Sequence, residues 1–279
     1  MTLLGAAEIR ALAEKLDLKP SKSLGQNFVI DGNVCRKIVR TAGVTSSDIA
    51  LEIGPGLGSL TLAMLEEAAS VVAVEIDPRL ANQLPITVAA HSEKVEKLAV
   101  INQDALQLKN LPVDPTVLVA NLPYNVSVPV FLHLLEILPT LRSGVVMVQA
   151  EVADRLAAKP NTKEYGIPSV KAAWWAEVTG AGSVSRSIFW PAPNVDSKLV
   201  AFKRRATPGG ENLRREVFAI IDLAFAQRRK MLRAALSSRY GGSAAAEAHL
   251  ISAGIDPTLR GESLDIDSFC KIAQQGLES

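Results

Sequence analysis

Three glycines in one short stretch constrain the fold of this chain more than any other feature. Residues 51–58 read Leu-Glu-Ile-Gly-Pro-Gly-Leu-Gly and follow the apolar start of a buried strand, Ile49-Ala50-Leu51. Apolar residues then recur at helical spacing from Leu57 to Leu65. A strand that turns through glycines into a helix is typical of a nucleotide-cofactor loop. Glycine tolerates positive φ angles there, and the start of a helix presents unpaired N–H groups.

The spacing of the glycines indicates which cofactor such a loop would hold. Gly54, Gly56 and Gly58 form G-x-G-x-G, whereas the fingerprint that binds a dinucleotide pyrophosphate is G-x-G-x-x-G. Glu52 precedes the loop, and Glu75 ends the next apolar run, where it would reach ribose hydroxyls. Residues 52–75 contain no Lys or Arg. The sequence therefore favours a cationic, phosphate-free nucleoside such as S-adenosylmethionine, which would leave S-adenosylhomocysteine as product. A tight turn without a ligand is the alternative.

Composition and charge narrow the functional class. The chain is 48% hydrophobic and 21% charged, as expected of a globular protein. Its apolar runs are far shorter than a membrane span, which predicts a cytoplasmic location and no membrane partner. Cys35 and Cys270 lack metal-ligand spacing, so neither a disulfide framework nor a metal site is expected. Residues 203–240 hold ten Lys and Arg against three acids, a net charge of +7, although the whole chain carries only +1. This asymmetry indicates a polyanionic partner.

Strands and helices alternate along the first half of the chain. This pattern predicts a Rossmann-like, doubly wound parallel sheet with ligands at the carboxyl ends of its strands. Gly54, Glu75 and Asp104 each fall at such an end, where Asp104 can accept a hydrogen bond from an adenine amino group. The predicted strands are 49–53, 71–75, 98–103, 116–120 and 144–149, and the predicted helices are 58–68, 78–90, 126–138 and 151–158.

The fourth predicted strand runs into Asn121-Leu122-Pro123-Tyr124, a tetrapeptide suited to methylation of an exocyclic adenine amine. The lone pair of that amine is delocalised into the ring, and acceptors on its N–H bonds favour a pyramidal, nucleophilic nitrogen. Asn121 Oδ1 and the Leu122 carbonyl offer such acceptors. Pro123 fixes the backbone, and Tyr124 can stack on a base that has left its helix. An isolated tetrapeptide of this kind would be a strand-ending turn. Its position in this sheet favours the chemical interpretation.

The two ends of the chain differ from its centre. The polar stretch 21–31 favours a surface linker, although it could also fold over a cofactor. After Pro208-Gly209-Gly210 only helical patterns occur, with predicted helices over 213–226, 230–238, 244–253 and 266–275. The cations Arg228, Arg229, Lys230 and Arg233 would share about one and a half helical turns. A solvated basic face is the alternative to an RNA-binding one. The predicted domains are residues 1–206, with an arm over 1–30, and residues 207–279.

These motifs resemble those of the ribosomal RNA adenine N6-dimethyltransferases, particularly the bacterial housekeeping members that act near the 3′ end of 16S rRNA. The resemblance extends over nearly the whole chain and implies a class I methyltransferase sheet with a small all-α C-terminal domain. It is carried by residues 51–58, Glu75, Asp104 and residues 121–124, by the N-terminal stretch 20–28, by the F-x-P-x-P-x-V-x-S pattern over 189–197, and by the basic segment 224–232.

The resemblance also implies residue roles and replaces the linker interpretation of the arm. Gly54 would lie against the methionine part of the cofactor, Glu75 would bind its ribose, and Asp104 its adenine. Tyr124 and Phe189 would sandwich the target base. The implied cofactor-binding set is Gln26, Asn27, Val29, Glu52, Gly54, Gly56, Gly58, Glu75, Ile76, Asp104, Ala105 and Asn121. The implied catalytic set is Asn121, Leu122, Pro123, Tyr124 and Phe189, and the implied RNA-binding set is Arg228, Arg229, Lys230 and Arg233.

The leading hypothesis is dimethylation of two adjacent adenosines of 16S rRNA, by a monomer, within the assembling small subunit. A 23S rRNA methyltransferase of the antibiotic-resistance type is the first alternative, and the long basic C-terminal region favours the small subunit over it. The second alternative is a ribosome-assembly or transcription factor that kept the fold without turnover. The intact Glu75, Asp104 and residues 121–124 argue against lost chemistry.

Overall fold

The computed structural model describes residues 2–18 and 27–277, and the structural statements below concern these residues. The strands are β1 Phe28–Val29, β2 Ile49–Ile53, β3 Ser70–Glu75, β4 Leu98–Asn102, β5 Val117–Asn121, β6 Ser143–Gln149, β7 Ala176–Val184, β8 Phe189–Trp190 and β9 Ser197–Arg204. The helices are α1 Ala6–Lys15, α2 Gly32–Thr41, α3 Ser59–Glu67, α4 Pro78–His91, α5 Ser127–Ile137, α6 Ala150–Ala157, α7 Ile167–Ala173, α8 Glu211–Ala226, α9 Leu232–Ala235, α10 Ser237–Tyr240, α11 Ser243–Ser252 and α12 Ile266–Leu277.

The main sheet of the described residues has the strand order β4-β3-β2-β5-β6-β9-β7. Neighbouring strands from β4 to β6 pair in parallel, and β9 pairs antiparallel to β6. The order of the strands reverses between β2 and β5. In a doubly wound sheet that reversal is the switch point at which ligands bind, beyond the carboxyl ends of the strands.

The predicted parallel sheet is confirmed, and each of its five predicted strands lies within one residue of an observed strand at either end. These strands are near-continuous apolar runs because helices cover both faces of such a sheet, and residues 117–120 of β5 are fully buried. The two edge strands β7 and β9 extend the predicted sheet. β7 contains two glycines and a mostly polar face, which left no clear strand pattern in the sequence. No helix among the described residues is long and apolar enough to cross a lipid bilayer.

The chain folds into two compact units. The first comprises residues 1–153 and 179–204, and the second comprises residues 154–178 and 205–279. The sequence-based boundary at 206/207 had placed residues 154–178 with the sheet. Within the second unit, the rings of Trp174 and Trp175 meet Phe218 edge-on, and Tyr165 Oη donates to the Leu264 carbonyl at 2.7 Å. These interactions account for the grouping of residues 154–178 with the C-terminal helices.

The predicted helix over 230–238 is wrong at its start and is interrupted. α8 ends at Ala226, residues 227–230 form a turn, and α9 begins at Leu232. The N–H of Leu232 donates to the Leu259 carbonyl at 2.7 Å, so it pairs with a distant turn instead of continuing a helix. The cations at positions 228–230 therefore lie on a turn and do not share a helix face.

Candidate active site

A pocket opens at the carboxyl ends of β2, β3, β4 and β5, with β1 along one side. Its empty volume, including the solvent-open mouth, is about 970 Å³. Ten of the twelve predicted cofactor residues line it: Asn27, Val29, Glu52, Gly54, Gly56, Glu75, Ile76, Asp104, Ala105 and Asn121. Pro123 of the predicted catalytic set lines it as well. Gln26 lies outside the described residues. Among the described lining residues there is no Lys or Arg, so the walls lack a cation that would favour a pyrophosphate.

The turn after β2 and the tetrapeptide after β5 adjoin each other in this pocket. A Cβ placed on Gly54 would lie 3.9 Å from Pro123 Cδ and 4.0 Å from the Asn121 carbonyl oxygen. Gly54 has a φ of +68°, a backbone conformation that is strained for any residue with a side chain. The two motifs predicted to hold the methyl donor and the target amine are thus walls of a single pocket.

The other two glycines meet different demands. At Gly56, with a φ of +58°, an added Cβ would lie 3.0 Å from the ring of Phe28, so this glycine lets the arm close over the turn. At Gly58 an added Cβ would lie 2.8 Å from Leu84 Cδ1 of α4. Gly58 is not among the residues that line the pocket. The absence of a side chain at this position lets the start of α3 pack closely against α4.

Two buried carboxylates face the pocket. Burial raises the pKa of Glu52 to about 8, the nearby charge of Glu75 adds to the rise, and a hydrogen bond from Thr61 Oγ1 opposes it. Burial also raises the pKa of Glu75, although its two oxygens accept the backbone N–H groups of Gly56 at 3.1 Å and Asp77 at 3.0 Å. A carboxylate out of water is stabilised by a cation or by hydroxyl donors, so these walls suit a cationic nucleoside.

The N-terminal arm forms one wall of the pocket. β1 pairs antiparallel with β8, so that Val29 lies opposite Phe189. Ser59 Oγ, in the first turn of α3, donates to the Val29 carbonyl at 2.6 Å, and Asn121 Nδ2 donates to the Asn27 carbonyl at 3.1 Å. The surface-linker interpretation is therefore wrong for residues 27–29. The bond to Asn27 also orients the Asn121 amide and identifies Oδ1 as its acceptor end.

The remaining predicted catalytic residues, Leu122, Tyr124 and Phe189, do not line the cofactor pocket. Leu122 is 1% exposed, and its N–H donates to the Met147 carbonyl of β6 at 3.0 Å. The Tyr124 hydroxyl lies 2.9 Å from Ser197 Oγ, and partial burial raises the pKa of Tyr124. Phe189 is only 3% exposed, within the hydrophobic core. The sandwich of a target base between Tyr124 and Phe189 stays a prediction.

Sequence reasoning missed several pocket residues. Phe28, Ser59 and Gln103 line the pocket, as do Val126 and Val130. Two of them could have been found from their positions in the sequence: Phe28 is the one aromatic residue of the arm, and Gln103 directly precedes the predicted cofactor residue Asp104. The valines could not, because an apolar wall residue looks like any other core residue in the sequence.

The structure separates the predicted RNA-binding residues into two pairs. Arg228 Nε donates to Glu262 Oε2 at 2.8 Å, and Arg233 lies 3.0 Å from Glu247 Oε2. Arg229 and Lys230 are exposed. The basic segment is thus not a uniform cationic face.

Sheet order and pocket together define the class I methyltransferase fold, and solved structures agree. A dimethyladenosine transferase from Plasmodium falciparum superposes with a TM-score of 0.76 at 24% identity, covering 89% of this chain and 98% of that one. The 23S rRNA methyltransferase ErmE superposes with a TM-score of 0.66 at 27% identity, covering 89% of this chain and 99% of that one.

Sequence comparison narrows the class to a family. The model of the ribosomal RNA adenine dimethylases matches residues 18–276. Ribosomal RNA small subunit methyltransferase A of Thermobifida fusca is 58% identical over 98% of this chain and 96% of its own length. The protein of the same name from Leifsonia xyli is 59% identical over 98% of both chains. The chain therefore belongs to the ribosomal RNA adenine dimethylase family and is a methyltransferase of ribosomal RNA, as the sequence motifs predicted.

Proposed function

We propose that this enzyme transfers methyl groups from S-adenosylmethionine to the N6 amines of two adjacent adenosines near the 3′ end of 16S rRNA. The reaction would take place in the cytoplasm during maturation of the small ribosomal subunit. One observation carries the proposal: the glycine turn after β2 and the Asn121 tetrapeptide after β5 form one pocket, with Gly54 against Pro123. The names of the relatives that are 58% and 59% identical support the choice of small-subunit RNA.

The pocket residues fit this cofactor. When bound, S-adenosylmethionine supplies an electrophilic methyl group on a positively charged sulfur. The buried Glu52 and Glu75 compensate positive charge and accept hydroxyl hydrogens, since each carboxylate has more lone pairs than its hydrogen bonds to the protein use. Glu75 would hold the ribose and Asp104 the adenine amine. Asn27, Val29, Gly54, Gly56, Ile76 and Ala105 would complete the cradle.

Asn121 and Leu122 would activate the target amine. Asn121 Oδ1 and the Leu122 carbonyl each accept one N–H, which favours a pyramidal nitrogen and stabilises the positive charge that develops on it. The bound cofactor would supply the methyl group and keep the electrons of the former C–S bond on its sulfur, while Asn121 and Leu122 hold the amine until its N–H proton passes to solvent. Tyr124 and Phe189 would hold the two faces of the base. Because Phe189 is buried, we expect its ring to become accessible only when RNA enters.

The two alternatives are less well supported. ErmE shares the fold at 27% identity, about half the identity of the small-subunit relatives, which favours 16S over 23S rRNA. A ribosome-assembly or transcription factor without catalytic turnover would not need the glycine turn for the methyl donor and the Asn121 tetrapeptide for the target amine to lie in one pocket. Both walls belong to one chain, which supports action as a monomer.

A methyl-transfer assay tests the proposal. Purified enzyme and isotopically labelled S-adenosylmethionine are incubated with unmethylated small subunits and, in parallel, with unmethylated 23S rRNA. Modified bases are then mapped by mass spectrometry. We expect N6,N6-dimethyladenosine at two adjacent positions of 16S rRNA. Label confined to 23S rRNA, or no transfer to either substrate, would contradict the proposal.

A further inference from the structure

We propose that Ser197 is a positioning residue for methyl transfer, because its hydroxyl holds the ring of Tyr124 in the orientation that stacks on the target base. Ser197 is the last residue of the F-x-P-x-P-x-V-x-S pattern and belongs to none of the predicted functional sets. In this role it acts on the reaction through Tyr124 and not by contact with the base or the cofactor. The inference rests on the proposed function in one respect, since it takes the stacked base to be an adenine of 16S rRNA.

The contact is a hydrogen bond between two hydroxyl groups. Tyr124 Oη lies 2.9 Å from Ser197 Oγ. Ser197 is 1% exposed, whereas Tyr124 is half-buried. Partial burial raises the pKa of Tyr124, so the phenol stays protonated at neutral pH and either hydroxyl can be the donor. A buried hydroxyl on a strand thus holds a side chain that reaches it from a loop.

Ser197 has a fixed position at the edge of the sheet where the site lies. It begins β9 and pairs in register with Gln149, at the carboxyl end of β6. The N–H of Ala150 donates to the Asp196 carbonyl at 2.8 Å, and Arg186 Nε donates to Asp196 Oδ1 at 2.6 Å. These two bonds hold the residue directly before Ser197. The Ser197 hydroxyl is therefore anchored by the sheet.

Tyr124, in contrast, lies in the turn between β5 and α5. The N–H of Val126 donates to the Pro123 carbonyl at 3.2 Å and closes this turn. The turn fixes the main chain of Tyr124 but not the plane of its ring, because the outer side-chain torsion of a tyrosine has a broad preference. The hydrogen bond to Ser197 holds the far end of the ring and so restricts that torsion.

Both predicted faces of the base sandwich thereby depend on one short segment, residues 189–197. Phe189 begins this segment, in β8 opposite Val29, and Ser197 ends it. Stacking depends on the plane of each ring as well as on its distance from the base. The segment thus supplies one predicted face directly and orients the other through a hydrogen bond, which gives the final serine of the pattern a physical role.

Single-turnover methyl transfer to unmethylated 16S rRNA measures the effect. With enzyme, RNA and S-adenosylmethionine at saturating concentrations, Ser197→Ala should lower the rate about three- to tenfold, the usual net worth of one hydrogen bond between neutral groups. Tyr124→Phe keeps the ring and removes the same bond, so it should lower the rate by a similar factor. The affinity for S-adenosylmethionine should stay close to that of wild type in both variants.

The double variant separates positioning from a merely structural role. Because Ser197 is proposed to act through the Tyr124 hydroxyl, adding Ser197→Ala to Tyr124→Phe should lower the rate no further. Ser169→Ala is the matched control. It removes the hydroxyl of another buried serine, which is 5% exposed and donates to the Arg155 carbonyl at 2.5 Å. This control should lower the Tm and keep the wild-type rate.

A readout that does not depend on catalysis follows the ring itself. The chain has three tyrosines, so labelling with 3-fluorotyrosine gives a simple fluorine NMR spectrum in which Tyr124 is assigned from the Tyr124→Phe variant. Ser197→Ala should shift and narrow the Tyr124 signal of the free enzyme, because the ring loses its anchor and gains motion. Ser169→Ala should leave that signal as in wild type.

Three results would overturn the inference. The first is a wild-type rate in Ser197→Ala, and the second is a double variant whose loss of rate equals the product of the two single losses. The third is a Tyr124 fluorine signal that Ser197→Ala does not change. A wild-type enzyme that transfers no methyl group to 16S rRNA would instead contradict the proposed function, and the fluorine signal would still decide whether Ser197 holds Tyr124.

Discussion

Glu52 illustrates how single residues prepare this site for its ligand. It is 2% exposed at the end of β2, and Thr61 Oγ1 donates to it. Burial raises its pKa to about 8, compared with about 4.3 in an unfolded chain. Because the folded-state pKa is the higher one, the contribution of Glu52 to stability is fully present below pH ~4.3 and is lost as the pH rises through about 8.

We predict opposite effects of Glu52→Gln on stability and on cofactor binding. Glutamine keeps an acceptor for Thr61 but cannot ionise, so the variant should be more stable than wild type at about pH 9 and nearly equal at about pH 5. Each ~1 kcal/mol of relief should raise the Tm by about 2–4 °C. Wild-type affinity for S-adenosylmethionine should increase from about pH 7 to pH 9 as the carboxylate ionises, and the variant should show a shallower increase.

Calorimetric titration and thermal unfolding across this pH range provide the measurement. Glu67→Gln is the matched control, because it removes an exposed carboxylate at the end of α3 and should show neither effect. Identical pH profiles for Glu52→Gln and wild type would show that Glu52 does not titrate in this range.

At the scale of elements, the N-terminal arm and the glycine turn form one assembly. β1 is held by its pairing with β8, by Ser59 at the start of α3, and by Asn121 at the end of β5. The ring of Phe28 rests on Gly56, where a Cβ would lie 3.0 Å away, and stacks on Trp190 with ring centroids 6.4 Å apart. The arm can close one side of the pocket only if position 56 lacks a side chain.

Gly56→Ala should therefore weaken cofactor binding beyond its effect on stability. Alanine at a positive φ costs about 1–2 kcal/mol wherever it occurs. Gly43→Ala is a close control, because Gly43 has a φ of +67° and no atom within 4 Å of the added Cβ. Both variants should lose similar stability, and only Gly56→Ala should lose affinity for S-adenosylmethionine in calorimetric titration. Equal affinities would mean that the arm does not shape the binding site.

Elements differed in how far the sequence could predict them. Apolar runs predicted the strands β2 to β6. Local turn chemistry predicted the functional residues at the strand ends, Gly54, Glu75 and Asn121. The pairing of β1 with β8 joins residues 28–29 to 189–190, and a local pattern contains no information about such a distant partner. The break before α9 was missed for the same reason, since the N–H of Leu232 is satisfied by Leu259.

At the scale of the whole molecule, the candidate functional residues are distributed over two compact units. The first contains every described residue of the cofactor pocket, and the second contains the basic segment with its exposed and its internally paired cations. The charge asymmetry of the sequence indicated a basic segment, but it could not show that Arg228 and Arg233 each pair with a carboxylate inside the second unit. The family model of the ribosomal RNA adenine dimethylases matches residues 18–276 and therefore covers most of both units.

We propose above all that Asn121 and Leu122, at the end of β5, accept hydrogen bonds from the target amine opposite the glycine turn. Single-turnover methyl transfer by the Asn121→Ala variant tests this most directly. With enzyme, RNA and S-adenosylmethionine at saturating concentrations, the rate should fall by about 10²–10³, the usual cost of removing one positioned hydrogen-bonding group from a transition state. The affinity for 16S rRNA should stay close to that of wild type. A wild-type rate, or a loss of rate matched by an equal loss of RNA affinity, would contradict the account.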